Sequence, residues 1–272
     1  MPKYCVNQTE TVEPVTSIPE PPSAGTPVPT TPLAGRLLNI FATPGDVFAE
    51  IKTAPPSVAN WLVPVLIYAV VGAISVCIMF SQPAIQQTVH DQQVKAYDKL
   101  VQQGKMTQAQ EDQVLQMMEK IMGPKMLSVI GSVGMVIYGF VSLFGWALVL
   151  WLAGRWFLKT RIGYLKMLEV TGLSSIIFAL GLVVGTLLAV ILGRLYATPS
   201  LALLVNNFDP TNRIHLLLGV VNVIYLWHAG VLAIVLARLS GAPMTRAFAV
   251  VFGFWVLIEL LLVAIGLGQW AL

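Results

Sequence analysis

The chain has 272 residues, of which 56% are hydrophobic and 11% are charged, and its mean hydropathy is +0.77. Soluble domains carry about 25% charged residues, so this composition cannot cover a water-exposed surface and indicates an integral membrane protein. The formal net charge of +3 comes without a run of basic residues, which excludes the usual electrostatic footprint of nucleic-acid binding. The two cysteines, Cys5 and Cys77, have neither the spacing nor the setting of a disulfide or metal framework.

Residues 1–36 are predicted to form a disordered, proline-rich tail. Such a composition cannot bury enough apolar surface to offset its ordering entropy, and Pro19-Glu20-Pro21-Pro22 has polyproline character. The N-terminus has no apolar signal region, so we expect the first membrane segment to act as the insertion signal. The tail is interpreted as a linker, with a docking motif as the alternative.

A short amphipathic helix is predicted just ahead of the first span, lying along the membrane face. Thr43 is a suitable N-cap, Pro44 suits the first helical position, and Asp46 can complete a capping box. One side of this helix carries the apolar residues Val47, Phe48 and Ile51.

Five apolar stretches are long enough to cross a bilayer core of about 30 Å as helices. In hydrocarbon the backbone polar groups have to be hydrogen-bonded within their own segment, so we expect an all-α, polytopic bundle. The predicted spans cover residues 61–80, 127–156, 167–192, 214–239 and 246–269. An odd number of spans places the two termini on opposite sides of the membrane.

The polar stretch between the first two spans, residues 82–125, predicts a helical hairpin outside the membrane. Apolar residues recur at helical spacing up to Gly104, a suitable C-cap, and Thr107 to Gln110 have the pattern of a capping box that opens the second helix. The two apolar faces are expected to pack on each other, with a partner-binding groove as the alternative.

Lysine and arginine in the short connections predict the orientation. The more basic side carries Arg155, Lys159, Arg161, Lys166, Arg238 and Arg246. The opposite side has Arg194 and Arg213 in its short connection, and the long hairpin balances its lysines with acids. We therefore expect a plasma-membrane protein with a cytoplasmic N-terminus, and with the hairpin and the C-terminus outside.

Two ionisable residues, His228 and Glu259, lie deep in the last two spans. With a rise of about 1.5 Å per residue, their depths differ by about one helical turn near the bilayer middle, so they could meet. Tyr225 lies one turn from His228 on the same face, and Asn222 could add a hydrogen bond. A polar clasp between spans four and five is the favoured interpretation, because transporters usually carry more than one such pair; a proton-sensitive pair lining a small pathway is the alternative.

No motif for catalysis, cofactor binding or metal binding is found. The three histidines, His90, His215 and His228, are scattered over a polar loop, a helix start and a span. The sequence contains no His-x-x-x-His, Cys-x-x-Cys, Gly-x-Ser-x-Gly or phosphate-binding glycine loop. We therefore expect a protein that is not an enzyme and has no cofactor and no metal site.

Three segments of the chain share a family pattern. They are LNIFATPGDVFAEI at 38–51 with WLVP at 61–64, GYLKMLEVTG at 163–172, and NVIYLW at 222–227 followed by LSG at 239–241 and TRA at 245–247. Together they resemble bacterial Yip1-domain proteins over residues 37–270, so residues 37–272 are expected to form a Yip1-like membrane domain.

The resemblance implies five spans, a cytoplasmic N-terminus and an outward C-terminus, in agreement with the orientation predicted from charge. Eukaryotic members of the family serve early secretory traffic and bind Rab-type GTPases. The acidic-aromatic Asp-Leu-Tyr/Trp-Gly-Pro element associated with that role is not found in this sequence. A Rab-type partner is therefore not implied.

Two functions follow as hypotheses. The first is a membrane scaffold or organising protein that recruits an unidentified partner through its tail, amphipathic helix and hairpin, with a homo-oligomer left open. The second is a small transporter or channel that uses His228 and Glu259. A continuous polar lining, in which Ser174, Ser175 and Thr186 face the same cavity as that pair, would favour the transporter, whereas a dry, closed interior would favour the scaffold.

Overall fold

A computed structural model of the chain describes residues 31–121 and 123–265, apart from the side chain of Glu119. Residues 1–30 of the predicted tail and residues 266–269 of the fifth predicted span lie outside the described residues. The first helix already begins at Leu33, before the predicted boundary at residue 37.

The described part of the chain is almost entirely α-helical, as predicted. Its helices are α1 Leu33–Ala42, α2 Pro44–Thr53, α3 Ala59–Phe80, α4 Pro83–Gln102, α5 Gln108–Ile121, α6 Pro124–Phe157, α7 Tyr164–Ser174, α8 Ile176–Leu192, α9 Arg213–Val220, α10 Val223–Ser240 and α11 Met244–Ala264. Five helical segments within the described ranges are long and apolar enough to cross a membrane, namely α3, α6, α7 with α8, α10 and α11. The predicted number of spans is confirmed.

Helices α1 and α2, together called the platform, pack against one end of the bundle. Ile40 of α1 and Phe48 and Ile51 of α2 are fully buried in a core cluster that includes residues of α7 and α10. At the end of α10, the Arg238 carbonyl accepts a hydrogen bond from Lys52 Nζ at 2.9 Å. The amphipathic helix predicted at the membrane face therefore turns its apolar side towards protein.

A buried carboxylate joins α7 to the connection between the platform and α3. Glu169 Oε2 forms an ion pair with Lys166 Nζ at 2.6 Å. Its Oε1 accepts hydrogen bonds from the Ser57 N–H at 2.5 Å and from Asn60 Nδ2 at 2.9 Å. The same Lys166 ammonium donates to the Ala54 carbonyl at 2.9 Å. This network fixes the position at which α3 starts.

The third predicted span, residues 167–192, is interrupted between α7 and α8. The Ser174 hydroxyl donates to the Thr171 carbonyl at 2.8 Å, and the Ser175 hydroxyl donates to the Gly172 carbonyl at 2.6 Å. Serine hydroxyls that bond to carbonyls of the preceding turn bend helices. The adjacent serines therefore account for the break at Ser175.

The fourth predicted span, residues 214–239, is not one helix, because the chain leaves helical geometry between α9 and α10. Asn222 caps α10, its Oδ1 accepting from the Ile224 N–H at 2.8 Å. Residues 221–223 pair with residues 199–201 through two backbone hydrogen bonds of 3.0 and 3.2 Å. Such pairing satisfies non-helical backbone inside a membrane protein.

Helix α9 begins at Arg213, within one residue of the predicted start of the fourth span. Its N-cap is Asn212, whose Oδ1 accepts from the Ile214 N–H at 2.9 Å. In the loop before α9, the Asp209 carboxylate accepts hydrogen bonds from Thr211. The Thr211 hydroxyl and backbone N–H hold the pKa of the Asp209 carboxyl below its usual range.

Helices α4 and α5 form the predicted hairpin. Gly104 adopts the left-handed conformation expected of a C-cap, at φ +67°. The capping box is confirmed, since the Thr107 N–H donates to Gln110 Oε1 at 2.9 Å and the Gln110 N–H donates to Thr107 Oγ1 at 3.3 Å. The Tyr196 hydroxyl donates to Gln92 Oε1 at 3.1 Å, which joins the hairpin to the connection after α8. This end of the bundle, opposite the platform, is called the hairpin end.

Candidate functional site

A cavity of about 290 Å³ lies between α3, α6, α8, α10 and α11. Its wall is mostly apolar, but each of these helices contributes a polar side chain. These include Tyr68, Ser75, Tyr138, Ser142, Thr186, Tyr225, His228 and Glu259. An apolar wall with a few placed polar groups is typical of a small-molecule site.

All four residues of the predicted polar set, Asn222, Tyr225, His228 and Glu259, line this one cavity. Of the three additional candidates, Ser175 and Thr186 also line it, while Ser174 contacts His228. The polar lining that would favour a transporter is thus present in part, within a wall that is mostly apolar.

His228 is anchored to α7. Its Nε2 lies 3.2 Å from Ser174 Oγ, and the side chain is only 5% exposed. The Ser174 hydroxyl also donates to the Thr171 carbonyl at 2.8 Å, so we assign the tautomer in which the imidazole donates to this hydroxyl. Nε2 therefore carries a proton, and Phe178 covers the ring at 4.1 Å between centroids.

Glu259 faces the cavity from α11 with no hydrogen-bond partner in the part of the chain that the structure describes. The residue is 8% exposed, and its buried Oε2 has no hydrogen-bond partner among the described residues. The ion pairs found in residues 31–121 and 123–265 do not include one between His228 and Glu259. The two side chains share a cavity, but they do not form the direct contact that their depths allowed.

The cavity occupies the middle of the bundle and its hairpin half. At the hairpin end it is lined by the connection after α8, including Leu195, Thr198 and Pro199. Towards the platform, the bundle is filled by fully buried side chains such as Leu150 and Met167, which do not line the cavity. The lining residues therefore extend from the middle of the bundle to the hairpin end, while Leu150 and Met167 lie between the cavity and the platform.

Several lining residues were missed by sequence reasoning, above all Tyr68, Tyr138, Ser142 and Trp255. Their spacing in the sequence could have identified three of them. Tyr138 and Ser142 are four residues apart on α6, and Trp255 is four residues before Glu259 on α11. Residues at that spacing share one face of a helix. Polar or aromatic pairs at this spacing in an apolar span thus indicate an interior face.

Removing the Ser174 hydroxyl tests the anchoring of His228. Ser174→Ala is expected to lower the free energy of unfolding by about 1 kcal/mol, because the buried Nε2–H loses its acceptor. Unfolding in mixed micelles under a denaturing-detergent titration measures the change. Ser128→Ala, which removes an exposed serine bonded only to its own helix, is the matched control, and equal stability of the two variants would contradict the assignment.

Comparison with known proteins identifies the family. The family model of the Yip1 domain matches residues 38–265, which are 228 of the 272 residues. Searches of curated proteins and of solved structures found no significant match. The matched range covers the platform from residue 38 onwards, the hairpin and the five apolar helical segments of the bundle. The chain therefore belongs to the Yip1 domain family and is a multi-pass membrane protein.

Proposed function

We propose that the protein is a small transporter that binds its solute in the cavity between α3, α6, α8, α10 and α11. The observation that carries this proposal is Glu259, a buried acidic side chain in the cavity wall whose Oε2 has no hydrogen-bond partner among the described residues. An ionisable group inside a membrane costs some kcal/mol, and where it faces a cavity it usually marks the path of a substrate or an ion.

The one-sided shape of the cavity favours a transporter over a channel. A channel needs a continuous path, whereas fully buried side chains such as Leu150 and Met167 fill the bundle between this cavity and the platform. The helix breaks at Ser175 and Asn222 both border the cavity. Transporters commonly build their sites from such discontinuous helices near the bilayer middle.

The orientation proposed from the sequence indicates the side of the membrane from which the cavity would be reached. The platform end carries Arg155, Lys159, Arg161, Lys166, Arg238 and Arg246, and basic connections favour the cytoplasm. In a plasma membrane the N-terminus would then be cytoplasmic, with the hairpin and the C-terminus outside. The cavity would be reached from the outer side.

A membrane scaffold that recruits a protein partner is the second candidate. It is favoured by the hairpin, on which Met117 and Ile121 of α5 are 61% and 59% exposed. Exposed apolar residues on an amphipathic helix suit a partner helix or a second copy of the chain. Neither candidate involves catalysis.

Uptake into liposomes tests the transporter. Vesicles containing the purified protein are given a mixture of small solutes and ions, and the trapped contents are quantified by mass spectrometry. We expect at least one solute to accumulate with the wild type and with the control Asp112→Asn, an exposed acid of the hairpin. Glu259→Gln is expected to abolish this uptake because the cavity loses its charge.

A second variant tests the cavity independently of its charge. Ser142→Leu adds bulk to the wall of the cavity and is expected to reduce uptake as well. Uptake by the wild type no greater than that of empty vesicles would overturn the transporter proposal and leave the scaffold as the better candidate.

A further inference from the structure

We propose that the ligand of this cavity is an organic ammonium ion, bound by its charge to Glu259 and by its alkyl groups to aromatic rings. The inference rests on the proposed function, because it names the substrate class of the same cavity. Three features carry it: the charge of the wall, the aromatic rings beside Glu259, and the lack of a metal-ligand set.

The charge of the wall selects a cation. Among the described lining residues, Glu259 is the only carboxylate, and none is a lysine or an arginine. His228 already uses Nε2 to bond Ser174. An anion would meet an unpaired carboxylate without a compensating cation, which is unfavourable at low dielectric. A cation supplies the partner that Glu259 lacks among residues 31–121 and 123–265.

The N-terminus of α10 does not change the preference of the cavity from a cation to an anion. A helix N-terminus carries partial positive charge and often binds anions. Here the Ile224 N–H donates to Asn222 Oδ1, and the Val223 N–H donates to the Pro199 carbonyl at 3.0 Å. These donors are satisfied by the chain itself.

The aromatic rings select an organic cation. Trp255 lies one turn from Glu259 on the same face of α11, and the wall also contains Tyr68, Tyr138, Trp146, Phe178 and Tyr225. Cations are attracted to ring faces within about 6 Å, and rings around a carboxylate suit an alkylated ammonium group. The alkyl groups are matched by the remaining apolar wall.

A metal ion fits this wall poorly. Calcium and magnesium need about six oxygen ligands, and transition metals need several histidine, cysteine or carboxylate ligands. Within the described residues no group of three or more His, Cys, Asp or Glu side chains is placed to hold a metal. The volume of about 290 Å³ is room for a small alkylammonium ion.

Three probes of one shape and different charge test the inference. Choline, 3,3-dimethylbutan-1-ol and 3,3-dimethylbutanoate are positive, neutral and negative, and binding to the full chain in lipid nanodiscs is measured by calorimetry and tryptophan fluorescence. We expect choline to bind at least about tenfold more tightly than the alcohol, and the anion not to bind. Glu259→Gln should remove the preference, while Asp112→Asn should keep it.

A second variant keeps the test valid if Glu259→Gln does not fold. Trp255→Leu is expected to weaken choline binding about threefold without weakening the alcohol, whereas Trp156→Leu, at an exposed tryptophan outside the cavity, changes neither. Equal binding of choline and alcohol to the wild type overturns the ammonium assignment but leaves a ligand cavity. Absence of binding by any probe overturns the assignment too, and if liposome uptake is also absent, the proposed function falls with it.

Discussion

Glu169→Ala is expected to lower the free energy of unfolding by about 3–5 kcal/mol, the range for removing one partner of a buried ion pair. The substitution leaves the mostly buried Lys166 ammonium without its counter-charge. It also removes the acceptor of the Ser57 N–H and of Asn60 Nδ2. Because these groups join α7 to the start of α3, the loss should loosen the platform end of the bundle first. Unfolding in mixed micelles, followed by far-UV circular dichroism, measures the effect.

Two further variants separate charge from packing at Glu169. Glu169→Gln keeps the size of the side chain and one acceptor for Asn60, so its effect should be smaller than that of Glu169→Ala. The double variant Glu169→Leu with Lys166→Met removes both charges. It should also lower the free energy of unfolding less than Glu169→Ala does, because no buried charge is left unpaired. A loss under about 1 kcal/mol for Glu169→Ala would contradict the role assigned to this network.

Gly172→Ala is expected to destabilise the bundle by about 3 kcal/mol or more through a backbone clash. A Cβ atom at Gly172 would lie 2.4 Å from the Cα of Trp61, so α7 and α3 cannot keep their present separation. The same position lies one turn from Glu169, so moving α7 would also stretch the contacts to Ser57 and Asn60. The expected result is a low yield of monodisperse protein and a large shift of the unfolding midpoint.

Gly134→Ala is the matched control for this clash. Gly134 is also within a spanning helix, but a Cβ atom there would meet nothing within 4 Å. Alanine is the better helix former, so this variant should be neutral or stabilised by a few tenths of a kcal/mol. Similar stability of Gly172→Ala and Gly134→Ala would show that α3 and α7 are not in backbone contact.

The number of spans could be predicted because length and hydropathy alone decide whether a helix can cross a bilayer. The capping box at Thr107 was equally accessible, since it depends on residues close in sequence. The break at Asn222 was not, because it depends on pairing with residues 199–201, more than twenty positions away. Asn222 lies in an apolar run and was the available signal of this helix break. The sequence predicts only that its side chain could add a hydrogen bond.

The candidate site could also be predicted only in part. The rise per residue gives the depth of His228 and Glu259, so their common level was predictable. The rotation of each helix about its axis was not, because spans that are apolar all round have little amphipathic signal. The sequence therefore did not indicate that His228 bonds to Ser174 of α7. Nor did it indicate that Glu259 faces the cavity with no hydrogen-bond partner for its Oε2 among the described residues. The amphipathic helix of the platform was predicted to lie along the membrane face, but its apolar side packs on protein. The sequence does not distinguish the two cases, because an apolar helix face can pack on either lipid or protein.

Access of water-soluble reagents to single cysteines tests most directly whether the bundle holds a cavity that opens at the hairpin end. In a background without Cys5 and Cys77, the cavity positions Ser75→Cys and Ser142→Cys are compared with Leu148→Cys, an exposed position of α6 outside the cavity wall. In oriented vesicles, we expect a charged thiol reagent to label both cavity positions from the hairpin side only and to leave residue 148 unlabelled. Unlabelled cavity positions, or labelling from the platform side, would contradict the one-sided cavity.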